Sequence, residues 1–108
     1  MNTVPCDADV TMTAAGDLMH LCPFVDEVDR GRITITWQTF GQTFELHALA
    51  DYLRGFKDSA ISHEQITDRI RHDLATVDGL ALVSVGTTWE TAGMEVRCST
   101  SPTLVGQL

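Results

Sequence analysis

The chain has 108 residues, of which 7 are basic and 15 acidic, giving a net charge of -8. Its 44% hydrophobic and 20% charged content is that of a single ordinary domain, 1–108, large enough to bury a core without a metal or disulfide. The acidity argues against a broad electrostatic grip on nucleic acid; no apolar run approaches the ~20 residues of a membrane span, and the N-terminus lacks the features of a secretory signal.

The first strand is expected over residues 9–15, where Val10, Met12 and Ala14 alternate with Thr11 and Thr13. Residues 16–30 read as a loop, punctuated by Gly16, Pro23 and an acidic stretch. Residues 32–40 carry the clearest strand pattern, with Ile33, Ile35 and Trp37 on one face, and Gly41 breaks the run. A helix is predicted over 45–57 from Leu46, Leu49, Ala50, Leu53 and Phe56. Ser62-His63-Glu64-Gln65 has the form of a capping box, so a second helix should run to about Thr76 and bury Ile66, Ile70 and Leu74. Asp78-Gly79 ends it, and residues 80–88 and 93–99 give two further strands. The order strand-strand-helix-helix-strand-strand predicts an α+β fold: a four-stranded antiparallel sheet with both helices on one face. Such a sheet leaves two edges, which favours assembly with further copies.

Cys6, Cys22 and Cys98 are an odd number with no C-x-x-C pair, so reduced thiols in a cytoplasmic protein are expected rather than a disulfide framework. His20 and His47 fit no common zinc spacing with Cys22, and no metal site is expected. Cys22 stands in the predicted loop before Pro23, near Asp26, Glu27 and Asp29. Those carboxylates raise rather than lower a thiol pKa, so they suit proton transfer to a substrate better than thiolate stabilisation. Glu45 opens the first predicted helix and His63-Glu64 the second; each acid there is favoured by the helix dipole, or alternatively accepts hydrogen bonds from a guanine-like base.

Together, Leu21-Cys22-Pro23, Asp29, Glu45 and His63-Glu64 resemble the signature of the QueF family, in register from Cys22 to Glu64 and more loosely to about Val96. That family comprises 7-cyano-7-deazaguanine nitrile reductases and shorter QueF-like relatives. The resemblance implies the tunnelling fold (ββααββ) and a ring homo-oligomer, pentamer or decamer, with active sites between subunits. It further implies that Cys22 attacks the nitrile carbon to form a thioimide and that Asp29 moves the proton. His63 would line the pocket, Glu64 would read the base, and Glu45 with the backbone of Leu46 would contact the base edge.

The reductases carry a Glu-Ser-Lys-Ser-Leu-Lys stretch for the NADPH phosphates, where this chain has Glu45-Leu46-His47-Ala48-Leu49-Ala50, and an Arg-Gly-Gly where it has Thr91-Ala92-Gly93. On this ground no cofactor is expected. The leading expectation is then an amidinotransferase that adds ammonia to 7-cyano-7-deazaguanine, free or within tRNA or DNA, giving an archaeosine-type amidine. The alternatives are an NADPH-dependent reductase with another phosphate-binding solution, a relative of GTP cyclohydrolase I, and a non-catalytic deazapurine or pterin binder. The zinc-binding Cys-x-x-His of that cyclohydrolase is absent here.

Overall fold

The computed structural model describes residues 1–106. Its elements are β1 (Thr3–Cys6), β2 (Thr11–Leu21), β3 (Val28–Thr39), β4 (Gly41–Phe44), α1 (Leu46–Arg54), α2 (His63–Ala75), β5 (Leu80–Thr91), β6 (Met94–Ser99) and β7 (Thr103–Leu104). The antiparallel path β2-β3-β5-β6 is the expected four-stranded arrangement. The strand count is nevertheless corrected: β7 also pairs with β5, and β1 pairs with β4 in a separate two-stranded sheet.

One face of the main sheet is apolar because its side chains alternate. Ile33, Ile35 and Trp37 of β3 and Val83, Val85 and Trp89 of β5 are buried together with Leu49 of α1 and Ile66, Ile70 and Leu74 of α2. Both helices therefore close over the same face, and α2 carries most of that contact. Full burial of an aliphatic side chain contributes about 1.5–3 kcal/mol, so this shared cluster is the main source of stability.

Two boundaries differ from the sequence expectation. The predicted loop 16–30 is mostly strand: β2 continues to Leu21, β3 starts at Val28, and only 22–27 connects them. Gly16 and Asp17 look like turn residues, yet Gly16 pairs with Ile33 and Asp17 with Arg32 in the ladder. An Asp17–Arg32 ion pair of 2.8 Å spans the exposed face there. The first helix is shorter than expected, since α1 ends at Arg54.

Candidate active site

The extension of β2 creates the site. Met12, Ala14, Gly16, Leu18 and His20 share the inward face, and His20 falls opposite Asp29 in the β2–β3 register. His20 is fully buried at the end of the core.

The second helix delivers His63 to the same place. The N–H of Leu21 donates to the Ser59 carbonyl (2.9 Å), and the N–H of Ile61 donates to the Leu21 carbonyl (3.2 Å). These bonds tie the segment before α2 to the end of β2. The capping box then forms as expected: Ser62 Oγ accepts from the Gln65 N–H, and Gln65 Oε1 accepts from the Ser62 N–H. His63 is thus the first residue of α2, aimed back at His20.

Its imidazole stacks on the Trp89 indole, with centroids 4.5 Å apart and planes 11° from parallel. The Trp89 ring occupies the space a side chain at Gly31 would fill: a Cβ there would lie 2.5 Å from the indole and from the Thr88 carbonyl. Trp89 Nε1 donates to Thr87 Oγ1 (2.9 Å), Thr87 lies 2.6 Å from Thr67 Oγ1, and Thr67 donates to the His63 carbonyl (2.7 Å). The indole is therefore held from the helix as well as from the sheet.

Asp29 Oδ2 lies 3.8 Å from His20 Nε2. The donor atoms of His20, Asp29 and His63 all fall within 4.8 Å of one another, a donor set of a type that binds metals. Both nitrogens of each ring, however, already have hydrogen-bond partners. Burial holds the His63 imidazole below its ordinary pKa; nearby Asp29 opposes that shift, while His20 adds to it.

The other expected site residues are dispersed. Cys22 is half-buried and continues directly from β2, and its N–H donates to the Glu27 carbonyl (2.9 Å), which closes the connecting loop. Cys22 and Asp29 thereby sit at one end of the sheet. Glu64 is exposed and turns into a groove of about 750 Å³ with Thr67, Asp68, Arg71, Arg97 and Thr100. Glu45 and Leu46 follow β4, which pairs with β1 outside the main sheet. Glu45 caps α1: one carboxylate oxygen accepts from the Ala48 N–H and the other meets His47 Nδ1 (2.9 Å). Hydrogen bonds from His47 and Ala48 hold its carboxyl below the ordinary range. Leu46 lines a groove of about 450 Å³ between α1 and the β2–β3 edge, with Ala14, Ile33, Leu49, Leu53 and Arg54.

This architecture matches a family model described as QueF-like protein over residues 28–101. The match includes Asp29, Glu45, Leu46, His63 and Glu64 and begins after Cys22. The chain belongs to the QueF-like family. A reductase of Chlorobium luteolum is 31% identical over 93 residues, 85% of this chain and 79% of that protein. One of Pelodictyon phaeoclathratiforme is 33% identical over the same shares. One of Prochlorococcus marinus (strain AS9601) is 40% identical over 53 residues, 49% of this chain but only 39% of that protein. All three are named NADPH-dependent 7-cyano-7-deazaguanine reductase.

Those names overturn the expectation of no cofactor. It rested on the missing lysines at the start of α1, and there the fold does offer little to a phosphate: His47 is engaged by Glu45. Cations appear further along. Arg54 edges both the Leu46 groove and an adjoining one of about 190 Å³ lined by Asp17, Met19, Leu53 and Lys57. This groove offers apolar walls and two cations, Arg54 and Lys57, with Arg54 itself paired to Asp51 and Asp17 lining both parts.

His20, Trp89, Thr91 and Gly31 build the surroundings of His63 without having been expected there. The available signal was the period-two alternation from Met12 to His20, which carries the strand through Gly16.

Proposed function

We propose that this chain is an NADPH-dependent nitrile reductase acting on 7-cyano-7-deazaguanine through a cysteine thioimide. The supporting observation is the convergence of Asp29 and His63, from separate elements, at the end of the sheet where Cys22 begins its loop. The relatives' names favour reduction over the amidine-forming reaction that the missing lysines suggested.

In this reading the Cys22 sulfur bonds to the nitrile carbon while the nitrile nitrogen takes a proton. A nitrile is a modest electrophile, so a soft nucleophile and a placed proton donor are both needed. Asp29, close to two imidazoles, is the group suited to carry that proton. NADPH, when bound, would supply hydride to the former nitrile carbon; the carbon–sulfur bond then breaks, returning the Cys22 thiolate and leaving an imine for the second hydride. Arg54 and Lys57 would hold its phosphates, and the apolar wall from Leu46 to Leu53 would exclude water. Four electrons convert a nitrile to a primary amine, so two NADPH are consumed for each nitrile.

Glu45 and Leu46 stand outside the His20–Asp29–His63 cluster, Glu45 capping α1 and Leu46 lining the groove beside it. We therefore assign them, with the long free edge of β2, to a ring homo-oligomer in which one subunit's α1 end meets the next subunit's Asp29 end.

The test is incubation of the full chain with 7-cyano-7-deazaguanine and NADPH. Loss of two NADPH for each aminomethyl product supports the proposal. An amidine formed from ammonia with NADPH unconsumed overturns it.

A further inference from the structure

The hydrogen bonds around His20 and His63 determine where their protons lie. His20 Nδ1 is 3.0 Å from the Leu21 carbonyl, which only accepts, so Nδ1 carries a proton. In the neutral ring Nε2 is then bare and accepts from His63 Nδ1, 2.9 Å away. His63 Nδ1 therefore holds the proton of its own ring, leaving Nε2 to accept from the Thr91 hydroxyl at 2.7 Å. The result is a directed chain: Thr91 hydroxyl to His63, His63 to His20, His20 to the Leu21 carbonyl. The ring that orients His63 is itself buried and packed edge-on against Trp89, with centroids 4.7 Å apart.

We propose that His20 is a positioning residue that fixes His63 in its Nδ1–H tautomer beside Asp29. The role rests on the reductase reading, which requires a replenished proton donor at Asp29. The charged and titratable groups facing His63 are His20 from β2, Asp29 from β3 and its helix neighbour Glu64; β5 contributes the neutral Thr91 and Trp89.

Two substitutions separate the hydrogen-bond acceptor from the ring packing. In His20→Gln the side-chain carbonyl can stand where Nε2 stood and accept from His63, but it takes no proton. In His20→Phe the ring packing against Trp89 persists and the acceptor is gone. Nitrogen-15 NMR of histidine-labelled full chain, without substrate, reads each tautomer directly. The expected result is Nδ1–H for both rings in the wild type, Nδ1–H for His63 in His20→Gln, and a tautomer mixture in His20→Phe.

An Nε2–H His63 in the wild type would overturn the proposal even if His20→Phe fails to fold. Because no substrate is present, this outcome is independent of whether the chain is a reductase. With turnover as the readout, His20→Phe should reduce kcat roughly tenfold with KM for the nitrile unchanged, and His20→Gln should restore most of that loss.

Discussion

His63 lies flat on Trp89, and Trp89 can lie there because residue 31 has no side chain. A glycine in β3 thus sets the position of an imidazole on α2. The first consequence concerns Gly31→Ala. Its Cβ would meet both the Thr88 carbonyl and the indole at 2.5 Å, and backbone cannot move aside cheaply. We expect a loss of about 1–3 kcal/mol in denaturant unfolding and a displaced Trp89, read by fluorescence. Gly86→Ala is the control, because its nearest neighbour is the Cys98 carbonyl at 3.8 Å. Equal losses at both positions would refute the account of Gly31.

Stability should depend on pH through His63. Burial depresses its folded-state pKa below the ordinary 6.5, so the unfolded chain binds the proton first. The contribution is complete above about pH 6.5 and is lost as pH falls toward the depressed folded value. Unfolding midpoints measured from pH 7.5 downward should fall more steeply for the wild type than for His63→Gln. Parallel curves would show that His63 is not the titrating group.

Much of this arrangement is legible in the sequence. Ile33, Ile35 and Trp37 declare a strand face by their period of two, and Ser62 with Gln65 declares the start of α2. Both features depend on neighbours within a few residues. The extension of β2 was hidden because Gly16-Asp17 has the local chemistry of a turn, and only pairing with Ile33 and Arg32 makes it strand. The pairing of His20 with Asp29 and the stacking of His63 on Trp89 follow from that register. They join residues too distant in sequence for periodicity to reveal. Glu45 shows the converse: its helix-capping role was legible, whereas the groove that its neighbour Leu46 shares with Ala14 and Ile33 depends on long-range packing.

Asp29→Asn should leave nitrile binding largely intact and slow turnover by about 10²–10⁴-fold, since the amide cannot deliver the proton. Equilibrium binding and single-turnover rates separate the two effects. Unchanged turnover would remove Asp29 from the mechanism.

Arg54→Ala and Lys57→Ala together should raise KM for NADPH roughly tenfold or more while leaving KM for the nitrile unchanged. Arg54 also pairs with Asp51, so Asp51→Asn should lower KM for NADPH by freeing the guanidinium. A double variant with wild-type KM for NADPH would place the phosphates elsewhere.

The most direct test of the central claim is the intact mass of the protein mixed with 7-cyano-7-deazaguanine in the absence of NADPH. A covalent thioimide at Cys22 predicts a mass gain equal to that of the nitrile, absent in Cys22→Ala. An adduct that persists in Cys22→Ala, or a wild-type protein that binds the nitrile without any gain in mass, would contradict it.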